Sequence, residues 1–75
     1  MFGVGRMVRR DPAATLRVLM AERDVTTQEL ADLTGLAPHT ISAIRTGRVQ
    51  RPKSDTRYLI AEALEVKPNK IWPDV

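Results

Sequence analysis

The chain has 75 residues, a formal charge of +3, no cysteine and one histidine. That length allows one small domain burying roughly 60% of its unfolded surface, so the core must be efficient or helped by a partner. Disulfides and thiolate metal sites are excluded, and "MFGVGRMVRR" holds no apolar run long enough for a signal peptide or membrane span, so a cytoplasmic protein is expected.

Arg6, Arg9 and Arg10 crowd the first ten residues, which read as a basic arm (1–10) ahead of one domain (11–75). Asp11-Pro12 is a helix start, with Asp as N-cap and Pro at the first helical position. The first helix is predicted to reach about Arg23, burying a stripe of Ala13, Leu16, Leu19 and Met20. The second helix starts at Thr26. Thr26 and Glu29 form a capping box, in which each side chain satisfies an orphan backbone N–H of the other. Leu30 and Ala31, with Leu33 as a further candidate, face inward, and Val25 staples back onto Leu30. Gly35 ends this helix after about two turns, in a conformation with φ > 0.

A third helix begins at Ala37-Pro38 and stops at Gly47. Ile41 and Ile44, three residues apart, make its buried stripe, which leaves His39, Thr40, Ser42, Ala43 and Arg45 on the other side. The loop "RVQRPKSD" leads to a fourth helix capped by Ser54 or its neighbour, with Tyr58, Leu59, Ile60, Ala61 and Leu64 as its apolar residues. Tyr58 and Trp72 read as core aromatics rather than stacking platforms, with a dimer surface as the other place for Trp72. Pro68 opens a last short turn containing Ile71 and Trp72, and Pro73 ends it. No period-2 alternation bounded by turn residues predicts a strand, so the expected fold is all-α, a compact five-helix domain.

Two short helices joined by a tight turn containing Gly form a helix-turn-helix unit. The early stop at Gly35 lets the third helix protrude, and a protruding helix fits the B-DNA major groove, about 12 Å wide. Its outward face is small, polar or basic, and Pro38 to Thr46 contains no acidic residue. A surface helix serving only structure more often carries Glu–Lys pairs at i, i+4. Arg45, Arg48, Arg51, Lys53 and Arg57 follow within thirteen residues, opposed only by Asp55. A solvated face is the plain reading of such a run; beside a protruding helix it becomes a grip on phosphates. Arg48, Arg51 and Lys53 are the clearest phosphate candidates, and Arg51 is placed for minor-groove insertion. The arm residues Arg6, Arg9 and Arg10 either follow a groove or solubilise the chain.

"TTQELADLTGLAPHTISAIRTGRVQRP", followed by "IAEAL-EV", resembles the lambda-repressor-like helix-turn-helix family, the Cro and XRE type. The resemblance covers about Thr15 to Trp72 and rests on Gln28-Glu29-Leu30-Ala31, Gly35, Thr40-Ile41-Ser42, Ile44, Gly47, Pro52, Ile60-Ala61 and Ala63-Leu64. The tail "KIWPDV" has a fainter likeness to the Ner type of small phage regulator. The family likeness implies phosphate contacts at Thr26, Thr27 and Gln28, and at Thr46, Arg48, Gln50 and Arg51 after the third helix. It implies base reading by Ala37, Pro38, His39 and Ser42, with Ala43 near a thymine methyl. Thr40, Arg45 and Lys53 complete the phosphate candidates. Relatives commonly carry Gln, Ser or Arg where this chain has Pro38, His39 and Ala43. Some pair an Arg in the first helix with a Glu in the third; here those positions are Met20 and Arg45, which leaves Arg45 to point at a phosphate.

The sequence thus predicts a regulator that binds double-stranded DNA, reads sequence and acts as a repressor, of phage or mobile-element origin, alone or as a homodimer, including one that forms only on DNA. An antitoxin or protein-binding adaptor would keep the same core, and could repress its own promoter. One His and no Cys or glycine-rich phosphate loop leave no enzyme chemistry, metal site, cofactor or small-molecule substrate to expect.

Overall fold

Helix starts follow local chemistry. In a computed structural model that describes residues 11–73, α1 (Pro12–Glu22) begins behind Asp11, whose carboxylate accepts from the Ala13 N–H at 3.2 Å. Ahead of α2 (Thr27–Thr34), the Glu29 N–H donates to Thr26 Oγ1 at 3.0 Å and the Thr26 N–H donates to Glu29 Oε1 at 2.9 Å. The capping box is therefore complete. Pro occupies the first turn of α3 (Pro38–Arg45) and of α5 (Pro68–Ile71), where its missing N–H costs nothing. α4 (Ser54–Ala63) starts behind Lys53, the neighbour of Ser54, which holds the N-cap position without a side-chain bond, while Ser54 is the first helical residue.

The described residues form five helices and no strand, the all-α architecture that the sequence predicts. The arm residues Arg6, Arg9 and Arg10 lie outside the described residues, as do residues 74–75. α1 packs on α3 and α5, α2 on α3 and α4, and α4 on α5. Leu16, Leu30, Ile41, Ile60, Leu64, Ile71 and Trp72 are the largest fully buried side chains, each stabilising the fold by about 1.5–3 kcal/mol relative to exposure. Trp72 thus belongs to the core. Val25, Leu36, Ala63 and Val66 pack against the same cluster from its edge.

Two apolar residues face the other way from their expected side. Leu33 is 64% exposed, and Thr34 takes the inward position in its place. Burying this threonine costs little: its hydroxyl donates to the Leu30 carbonyl at 2.8 Å and accepts the Leu36 N–H at 3.2 Å. Tyr58 is 65% exposed, a correction to its core assignment, and Leu59 also reaches solvent. Ile60 and Ala61 fill the buried side of α4 instead.

Chain reversals use left-handed residues. Gly35 ends α2 at φ 78°, as the sequence requires. α1 and α4 end in Schellman motifs built without glycine. In the first, Val25 N–H donates to Met20 O and Asp24 N–H to Ala21 O; in the second, Val66 N–H donates to Ala61 O and Glu65 N–H to Glu62 O. Asp24 and Glu65 therefore sit at φ 55° and 62°, where a Cβ is unfavourable.

Candidate nucleic-acid interface

α3 is held from behind and open in front. Ile41 and Ile44 are buried beneath it, which fixes the rotation of a helix only eight residues long. Pro38 and His39 at its start are exposed, while Ala37, Thr40, Ser42, Ala43 and Arg45 are half-buried. The turn at Gly35 places this start on the surface, so the five expected base-reading residues share the outward side and its margins. No acidic residue occurs between Asp32 and Asp55, so α3 and its following loop present one sign of charge.

The loop folds back on α3. Its first half is tied down by the Val49 N–H, which donates to the Ala43 carbonyl at 3.1 Å. Beside it an open cleft is lined by His39, Thr40 and Ala43 of α3 and by Val49, Arg51 and Lys53 of the loop. The structure thus sets expected base readers of α3 and cations of the following loop around one cleft. Arg48, Gln50, Arg51 and Lys53 are all exposed. Thr46, also exposed, donates its hydroxyl proton to Ser42 O at 2.9 Å, so a phosphate bond from that hydroxyl requires this one to open.

At the start of α2, Thr26 contributes its N–H and hydroxyl oxygen to the capping box, which leaves its hydroxyl proton to donate elsewhere. Thr27 and Gln28 are the first two helical residues, whose amides have no acceptor within a helix and form the positive end of its dipole. Such a terminus suits an anion. The Gln28 side chain itself donates to Asp32 Oδ1 at 3.1 Å, one turn along.

The Met20–Arg45 position behaves as its chemistry dictates. Met20 is buried and Arg45 forms no ion pair with α1; its Nε is buried without a hydrogen-bond partner among the described residues. The bond between these two helices runs elsewhere: Arg17 Nη1 donates to the Arg45 carbonyl at 2.7 Å. That carbonyl lies at the end of α3, where acceptors are unsatisfied and a cation is favoured.

Sequence reasoning missed three contributors. Val49, 41% exposed, gives the cleft an apolar wall. Arg17 and Arg57 both donate to main-chain carbonyls, Arg17 at the exposed surface and Arg57 from a half-buried position. Spacing could not reveal Arg17, which lies 28 residues from its acceptor. A basic run gives no sign of which members turn inward. Among the described residues no group of three His, Cys, Asp or Glu could hold a metal, and no helix is long and apolar enough to cross a membrane.

Comparison with family models matches residues 15–71 to the Cro/C1-type HTH DNA-binding domain. Comparisons with curated proteins and with solved structures gave no match. The matched span runs from the middle of α1 to the end of α5, and so includes the whole helix-turn-helix unit and the basic loop. With its interrupted helix pair, buried inner stripe and acid-free outer face, the chain belongs to the Cro/C1-type helix-turn-helix DNA-binding family.

Proposed function

We propose that the protein is a sequence-reading transcription repressor that lodges α3 in the major groove of an operator and so excludes polymerase. Base reading falls on Ala37, Pro38, His39 and Ser42, with Ala43 against a thymine methyl. The phosphate grip falls on the Thr26, Thr27 and Gln28 terminus of α2 and on Thr40, Arg45, Thr46, Arg48, Gln50, Arg51 and Lys53. The observation that carries this reading is the cleft in which His39 and Ala43 stand beside Arg51 and Lys53, on a surface without an acid. Carboxylates there would be repelled by phosphates; cations release counterions on contact.

In this reading the chain is a single non-enzymatic domain acting in the cytoplasm, with no small-molecule substrate. Two copies meeting on a two-fold operator would read half-sites about 34–36 Å apart. The arm of Arg6, Arg9 and Arg10 adds a groove contact or solubility, and the likeness of the tail to the Ner type favours a phage or mobile element as its source.

A second reading, an antitoxin or adaptor, is favoured by one feature. Leu33 is exposed in a shallow hollow that Asp24, Glu29 and Asp32 also line, away from α3. Such a patch suits a basic protein surface and leaves α3 open to DNA, although its Glu29 and Asp32 bond Thr26 and Gln28 of the proposed α2 phosphate grip.

Selection of duplexes from a random pool tests the leading reading. Enrichment of one motif, two-fold symmetric if two copies bind, is expected. A pool that stays random, together with no association at low salt, refutes it.

A further inference from the structure

Arg57 stands in the basic run with Arg48, Arg51 and Lys53, yet it does not share their environment. Its side chain is half-buried. Nη1 donates to the Pro52 carbonyl at 2.6 Å, and Nη2 reaches Ser54 Oγ at 3.4 Å. Its N–H donates to the Lys53 carbonyl at 3.0 Å. The Arg57 side chain thus holds Pro52 and Ser54 on either side of Lys53, while its main-chain N–H makes the first bond of α4 as any residue there would. Pro52 is itself buried and has a fixed φ, so the carbonyl that Arg57 grips lies on a stiff support. Arg51 precedes that support and Lys53 follows it. The entry of the loop is held by the Val49–Ala43 main-chain bond; the exit is held by Arg57.

We infer that Arg57 is a positioning residue for the DNA grip: it presets the segment carrying Arg51 and Lys53 and makes no phosphate contact of its own. The inference rests on the DNA-binding reading above. The physical argument is preorganisation. A loop fixed before binding does not lose that conformational freedom at the moment of association. A charge-assisted bond of this length is among the stronger kinds. Its Nε–H, by contrast, is buried with no hydrogen-bond partner among the described residues, which costs stability. The guanidinium is explained by the carbonyl that it holds.

The salt dependence of binding separates a positioning role from a contact. A residue that touches a phosphate adds about one to the slope of log affinity against log salt. A residue that only orders the loop changes affinity equally at every salt concentration. The experiment measures the full chain on a mixed-sequence B-form duplex by fluorescence anisotropy across a salt series, with Arg51→Ala as the contact control. Arg57→Gln is expected to weaken binding about five- to tenfold at each salt concentration with the slope unchanged, whereas Arg51→Ala lowers the slope by about one. Arg57→Met, which removes the unpaired Nε–H as well, is expected to weaken binding similarly while melting no lower than the parent.

Parental affinity in both Arg57 variants overturns the inference, as does a slope that falls by about one. Loss of helical signal in both also overturns it, since Arg57 would then serve the fold rather than the loop. If the unsubstituted chain binds no duplex even at low salt, the DNA-binding reading itself fails and this inference falls with it.

Discussion

Replacing Gly35 tests the turn on which the exposure of α3 depends. Gly35 sits at φ 78°, and a Cβ built there would meet nothing within 4 Å. The cost of a side chain is therefore backbone strain alone, without a steric term. For an L-residue that strain is about 1–2 kcal/mol. Gly35→Ala should lose that amount, which in a domain of this size lowers Tm by roughly 4–8 °C for each kcal/mol. Gly35→Asn should lose less, because its short polar side chain tolerates the left-handed region. Gly35→Val should lose more, since a β-branched residue is a true outlier there. Thermal and urea denaturation followed by far-UV circular dichroism gives the ranking Gly, Asn, Ala, Val, with an unchanged urea slope if only stability shifts. Variants that all melt with the parent would refute the claim that the turn needs a left-handed residue. An Ala variant that loses far more than about 2 kcal/mol would refute the claim of open space.

Further substitutions probe the other links. Glu65→Gly is the mirror experiment: it relieves a left-handed residue at φ 62° and should raise stability by about 0.5–1 kcal/mol in the same melt. Thr26→Ala removes the hydroxyl that accepts the Glu29 N–H and should cost about 1 kcal/mol, measurable by urea titration. His39→Ala should relax preference at one or two base pairs, with discrimination falling by about 1–3 kcal/mol; an unaltered preference matrix from a library of operator variants would remove His39 from the reading set.

Features decided within a few residues were legible from the sequence. Asp11-Pro12, the Thr26–Glu29 box and Gly35 each act through bonds or torsions at short range, so composition and spacing suffice to find them. Which residues of a two-turn helix turn inward was harder to read. Leu30 and Ala31 fix the stripe of α2, but whether Leu33 or Thr34 extends it depends on where α3 and α4 lie. Thr34 wins because its hydroxyl finds the Leu30 carbonyl, so burial leaves no unsatisfied group. Tyr58 was misread for a related reason: Ile60, Ala61 and Leu64 already fill the inner side of α4 and its cap, and the phenol is left outside. At the candidate interface, the charge run and the acid-free helix were visible in the chain. Their meeting in one cleft was not, nor was the inward turn of Arg57, because both depend on the return of the loop across α3.

α5 has four helical residues, too few to be stable alone, yet Ile71 and Trp72 are among the largest buried side chains of the molecule. α5 packs on both α1 and α4, so these two side chains fill the space that would otherwise lie open between those helices. This short helix thus acts as a latch, and the domain has its full stability only with Trp72 seated.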